Sequence, residues 1–230
     1  MQDGSILRQW WRLGGICGIL FLVLFIVGAS FQGQPPAYDD PVEEIRAFWV
    51  DDGEAFLTGD YIIGLGFILF FFPFVSALSG LLGIAEGGPR LWSRIVLVGG
   101  VLFLALAGAS GIFWTALAFG DVAENASDDT IVLLMTLDVA AWHFAPAGLA
   151  IMTLPAALVI LQTRVLPLWL GGLTLIEGVL ATISPLAILA DNPNDSALGW
   201  LAFPGAAIWV LVVSIVLVLK KEAPVAVPAA

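Results

Sequence analysis

Charge is scarce in this chain of 230 residues: 12% are Asp, Glu, Lys or Arg, about half the share of a soluble domain, while 60% are apolar. A soluble protein needs charged side chains to cover its surface, and so few exclude that class; lipid removes the requirement. One cysteine, Cys17, excludes an intramolecular disulfide. One histidine, His143, excludes bis-histidine haem ligation, and no Cys/His cluster offers a zinc site. No phosphate-binding glycine loop is present, because Gly64-Leu65-Gly66 does not continue into the required pattern. No serine or cysteine nucleophile has a motif around it. No cofactor, metal or nucleic-acid partner is therefore expected, and an enzyme is disfavoured. The six arginines against two lysines hint at a GC-rich genome.

What the chain has is long apolar runs, at 13–32, 56–83, 92–119, 130–161, 166–190 and 197–219. Each is about as long as the ~20 residues that cross ~30 Å of hydrocarbon, or longer. The expected fold is all-α: one bundle of six transmembrane helices over residues 1–222, with a short tail at 223–230. Pro73, Pro146, Pro155, Pro185 and Pro204 lie inside the runs and mark kinks, which neighbouring helices tolerate by satisfying the freed carbonyls.

Orientation follows from Lys and Arg alone. Arg8, Arg12, Arg90, Arg94, Arg164, Lys220 and Lys221 fall on one side, and only Arg46 falls on the other. Both termini are thus expected in the cytoplasm of a cell with this chain in its plasma membrane. The opposite loops hold Asp39, Asp40, Glu43, Glu44, Asp51, Asp52, Glu54, Asp121, Glu124, Asp128, Asp129, Asp191 and Asp195. Trp10, Trp11, Trp92 and Trp169 sit near the basic boundary, and Trp49 and Trp200 near the acidic one, as aromatic belts require. Arginines before the first run and Gly28-Ala29-Ser30 after it also suit a cleavable signal; a retained helix is the expectation.

The longest loop, 33–55, predicts a short amphipathic helix over residues 41–50, on the outer membrane surface or over the bundle mouth. Asp40 has the place of an N-cap, Pro41 of the first helical position, and Glu43 completes a capping-box spacing. Val42, Ile45 and Trp49 share one face. A repeated helical hairpin is a further possibility. Asp60 and Asp138 open alternate spans 78 positions apart, Trp92 and Trp169 lie 77 apart, and glycine pairs follow at Gly99-Gly100 and Gly171-Gly172.

Four ionisable groups interrupt the runs: Asp60, Asp138, His143 and Glu177. Each costs a few kcal/mol or more in the bilayer unless paired or neutral. Thr136, Ala140, His143, Ala147 and Ala150 form one stripe on span four, and Thr174, Glu177, Ala181 and Ser184 form another on span five. Small residues let helices approach, and Gly14 and Gly18 add a GxxxG spacing on span one. Counted in from their runs, His143 and Glu177 reach similar depth, which predicts a contact. Asp138 is expected to face span two or three, near Asp60. A path from Asp60 and Asp138 to His143 and Glu177 has the composition of a proton or cation relay; two helices pinned by a His–Glu hydrogen bond is the plainer alternative.

The chain resembles a broad set of uncharacterised six-helix membrane proteins of GC-rich bacteria. The resemblance lies in a first span bearing Trp11 and Gly14-Gly15, the acidic outer loop, Gly59-Asp60-Tyr61, and Leu-Pro-Leu-Trp-Leu-Gly at 166–171. It implies a helical bundle and no activity. Beyond contact with lipid, the functions open are a structural subunit that binds another membrane protein or a second copy, a small proton- or cation-coupled transporter, and, third, a membrane enzyme. A hydrated cavity reaching these polar groups favours transport.

Overall fold

The computed structural model describes residues 4–190 and 196–220, with side chains from residue 9 onward. Asp191, Asp195, Lys221, the tail at 223–230 and the side chain of Arg8 lie outside the described residues. Six helical stretches are long and apolar enough to cross a membrane: Gln9–Gln32, Gly53–Glu86, Leu91–Ala118, Asp128–Thr163, Leu168–Leu189 and Ala197–Leu219. They match the six apolar runs, and no strand occurs among the described residues. Helix is the expected answer in hydrocarbon, where every backbone N–H and C=O must find its partner within the segment. The chain is a multi-pass helical membrane protein.

The elements are α1 (Gly4–Gln32), α2 (Val42–Asp51), α3 (Gly53–Gly66), α4 (Phe72–Glu86), α5 (Leu91–Ala118), α6 (Val122–Asn125), α7 (Asp128–Thr163), α8 (Leu168–Ile183) and α9 (Ala197–Leu219). The second span is α3 and α4 joined by a π turn, Phe67–Phe71. The turn widens just before Pro73, whose missing N–H and ring do not fit an unbroken α ladder. The fifth span closes in a 3₁₀ segment, Ser184–Leu189, with Pro185 in its first turn. Pro146 and Pro155 are accommodated inside α7, and Pro204 inside α9.

Helix α7 is the centre of the bundle: 67% of its most apolar window is buried, against 39% or less for every other span. Its closest neighbour is α5, and glycines set their spacing. A Cβ on Gly99 would fall on the backbone of Met152, and one on Gly148 on the backbone of Phe103. Gly28 of α1 and Gly59 of α3 meet in the same way, each against the other's carbonyl oxygen. Gly14 seats against Ala77, and Gly18 against Ser214 and Phe74, so both of these α1 glycines pack against neighbouring helices. The two glycine pairs differ. Gly99 and Gly100 both meet neighbours, whereas Gly172 faces open space.

The acid-rich end of the bundle is capped by α2. Ile45 and Trp49 are buried and Val42 packs beside them against Phe56, Leu117 and Ile131, so the expected helix lies over the bundle mouth. The expected Asp40 cap is not made. Asp40 instead accepts the Ala37 N–H at 2.7 Å, closing the preceding turn, and Pro41 occupies the cap position one residue later. Arg46, the one basic residue at this end, reaches across to the segment before α7. Its guanidinium donates to the carbonyl oxygens of Ala123, Glu124 and Ala126 and to Asp128 at 2.7 Å. Three of those acceptors are backbone carbonyls around α6, so Arg46 ties α2 to α6. At the other end, Glu86 accepts the Trp92 and Ser93 amides that open α5, and Lys220 Nζ donates to Val165 O at 2.9 Å.

Candidate functional site

A cavity of about 390 Å³ opens at the acid-rich end and runs into the bundle between α1, α3, α5 and α7. Gln32, Pro35 and Pro36, all half-buried, and the exposed Trp200 line its mouth; Asp138, Ser110 and Val139 lie buried deeper in. Asp138 is ten residues into α7 and Phe67 fourteen beyond Gly53, so the cavity extends roughly 15–20 Å along the helices.

Helix α5 brings the two carboxylates together. Ser110 Oγ donates to Asp138 Oδ1, and Thr115 Oγ1 donates to Asp60 Oδ2 at 2.8 Å. Gly111, the residue after Ser110, leaves room for the second aspartate: a Cβ there would lie 3.2 Å from Asp60 Oδ1. Asp138 is 4% exposed, yet its Oδ2 receives no hydrogen bond from any described residue, and neither does Asp60 Oδ1. Each carboxylate is therefore held by one oxygen and leaves the other available. Asp138 faces span three and shares a cavity with Asp60, as its angular position on α7 implied.

His143 and Glu177 are elsewhere. Both are buried, but neither lines the cavity. His143 Nδ1 donates to Val139 O at 2.7 Å, since a carbonyl can only accept, which directs Nε2 toward Gly199 of α9. Glu177 Oε2 lies against Gly205, and Oε1 is buried without a hydrogen bond. The expected His143–Glu177 contact is absent from the described hydrogen bonds and ion pairs, and the hairpin register explains why. Gly171 packs on Leu161 and Gly178 on Leu154, so each step along α8 matches one step back along α7. On that register Glu177 is level with Pro155, twelve residues beyond His143 on α7. That offset places the two about 18 Å apart along the axis.

The remaining polar candidates act in packing, with one exception. Thr174 is fully buried and accepts the Trp209 indole N–H at 2.9 Å, linking α8 to α9. Ser184 donates to Gly199 O at 3.3 Å. Thr136 is exposed and bonds only back to Val132 O of its own helix. It does not belong to a helix contact, because the buried side of α7 at that level is set by Met135, Asp138 and Val139.

Sequence reasoning passed over the aromatic part of the cavity. Of the nine tryptophans, Trp142 and Trp209 lie twelve residues inside their apolar runs, and Trp114 lies five residues from the end of its own. Two of these, Trp114 and Trp142, line the cavity, and the third is the partner of Thr174. Position away from the headgroup level marks Trp142 and Trp209 as unlike the boundary tryptophans, but it does not tell a cavity wall from a packed core. Trp142 also stacks face to face on Phe203, with ring centroids 4.1 Å apart. No group of three or more His, Cys, Asp or Glu side chains among the described residues has the arrangement of a metal site. No protein-family model, no curated protein and no solved structure matches the chain.

Proposed function

We propose that the protein is a small cation carrier of the plasma membrane, with both termini in the cytoplasm, and that Asp60 and Asp138 form its outward-facing binding site. The observation that carries this is the cavity itself, which exposes two intramembrane carboxylates, each with one oxygen unengaged. Ionisable groups at membrane depth are costly to keep, and those that face a cavity mark ion and substrate pathways. A subunit that only packs or binds a partner has no use for carboxylates on a cavity wall; it would bury them in closed pairs.

The orientation is supported by the basic residues. Arg12, Arg90, Arg94, Arg164 and Lys220 gather at the end remote from the cavity mouth, which the positive-inside rule places in the cytoplasm. The cavity then opens outward. Trp142, stacked on Phe203, is part of its wall, and the cavity does not reach His143 or Glu177. One conformation of a carrier would have this form, open on one side and sealed on the other.

Charge displacement on a solid-supported membrane tests the function. Proteoliposomes of the full chain are exposed in turn to a sodium step, an acid step and an organic ammonium step. Wild-type protein should give a saturable current with at least one of these, and Asp138→Asn should abolish it. Absence of current from all three, or equal currents from wild type and Asp138→Asn, would refute a carrier.

A further inference from the structure

We propose that the ligand of this cavity is an organic ammonium with an apolar body, either a protonated amine or a quaternary ammonium; the inference rests on the cation-carrier function above and names its substrate class. The walls decide between cation types. None of the lining residues is basic, and the charged ones are Asp60 and Asp138 alone. Such a cavity attracts cations and repels anions.

Hard metal ions need about six or more oxygen ligands in close array. The inner part of the cavity supplies two carboxylates and the Ser110 hydroxyl, which is already committed to Asp138. Most of the remaining wall is apolar, and six of its members are aromatic: Phe25, Phe56, Phe67, Trp114, Trp142 and Trp200. A bare sodium ion would be stripped of water there with little in return. A proton alone would need no space of about 390 Å³, and the cavity does not continue to His143 or Glu177.

An ammonium carrying carbon substituents fits both halves of the wall. Its charge meets the unengaged oxygens of Asp138 and Asp60, and its substituents, which share the positive charge, meet ring faces. Trp142 is fixed for this role, since its stack on Phe203 holds one face of the indole and leaves the rest of the ring at the cavity wall. Asp138, at 4% exposed, provides a carboxylate shielded from bulk water, where its attraction for a cation is strongest.

The test is equilibrium binding to the full chain in maltoside micelles, with benzyltrimethylammonium as probe and neopentylbenzene as its uncharged isostere. The ammonium should bind saturably and at least tenfold tighter than the isostere. Asp138→Asn should weaken it at least tenfold, and Trp142→Leu severalfold, with Trp142→Phe retaining most of the affinity. The comparison of isosteres needs no variant, so it stands even if a substitution impairs folding. Displacement by a short-chain phosphatidylcholine, and not by phosphatidylglycerol, would identify a lipid headgroup as the source of the ammonium; displacement by neither would identify a free amine. Equal affinity for probe and isostere would overturn the proposal. Absence of ammonium binding from a protein that still gives sodium or proton currents would overturn it and leave the carrier function standing. A protein with no current from any cation would end both.

Discussion

Trp142 lies on Phe203 with ring planes within 9° of parallel and centroids 4.1 Å apart, and the indole of this stack lines the acidic cavity. It joins α7 to α9 one residue before His143 and one residue before Pro204. Aromatic pairs contribute about 0.5–1.5 kcal/mol beyond the area that they bury. A double-mutant cycle of Trp142→Leu and Phe203→Leu should therefore show a coupling energy in that range. Equilibrium unfolding in mixed micelles measures it, and coupling below a few tenths of a kcal/mol would mean that the rings merely adjoin.

Arg46 should resist replacement by lysine. Its fork reaches three backbone carbonyls and Asp128, a geometry that a single ammonium cannot reproduce. Hydrogen bonds to charged groups contribute about 1.5–3 kcal/mol, whereas the ion pair with Asp128, whose carboxylate is 67% exposed, adds little. Both Arg46→Ala and Arg46→Lys should raise amide exchange across residues 119–127 by tenfold or more, with the six spans unaffected. Raising the salt concentration on wild type should not reproduce the effect. If salt alone opens the segment, the ion pair dominates and the backbone contacts are secondary.

How much of this was legible in the sequence depended on whether the signal was local. Run length gave the six spans, and the Val42, Ile45 and Trp49 spacing gave α2; both need only neighbouring residues. The Thr174, Glu177, Ala181 and Ser184 stripe is wholly buried for the same reason. The His143–Glu177 contact failed because depth was counted from the ends of two runs of unequal length. Counting outward from the turn at Arg164 would have exposed the offset. The cavity was hidden for another reason: Trp114 and Trp142 inside an apolar run have the same pattern as lipid-facing or core aromatics. Arg46 was visible as the single exception to the charge asymmetry, and an exception of that kind needs a bonding partner.

Thr174→Val should separate hydrogen bonding from shape. The substitution keeps the volume and removes the acceptor for Trp209, which is fully buried and has no water to turn to. Hydrogen bonds between membrane helices average about 0.6 kcal/mol and reach about 1.7, and a buried donor left unpaired belongs at the upper end. The expected loss is about 1–2 kcal/mol, with a change in the near-ultraviolet circular dichroism of the indole. Thr174→Ser, which keeps the oxygen, should recover most of the loss. An unchanged stability in Thr174→Val would show that the α8–α9 contact relies on packing alone.

The glycines provide the sharpest contrast, because the same substitution should have opposite signs at positions a few turns apart. A methyl group on Gly99 would fall on the main chain of Met152, and one on Gly148 on the main chain of Phe103. Main-chain atoms of a packed helix cannot turn aside as a side chain can, so α5 and α7 must separate to admit the methyl. Since α7 is the most buried span, the separation spreads to the cavity, whose wall both helices share. Over-packing of this kind costs about 1–3 kcal/mol, and Gly99→Ala and Gly148→Ala should each fall in that range or above it. Gly108 lies on the same helix as Gly99, and nothing approaches the position that its Cβ would take. There the only effect is on helix propensity, and alanine is favoured over glycine by about 0.5–1 kcal/mol. Gly108→Ala should therefore stabilise the protein by up to that amount. Thermal unfolding of the three variants in one detergent decides the matter. Equal effects at Gly99 and Gly108 would mean that the α5–α7 spacing is looser than the backbone contact requires.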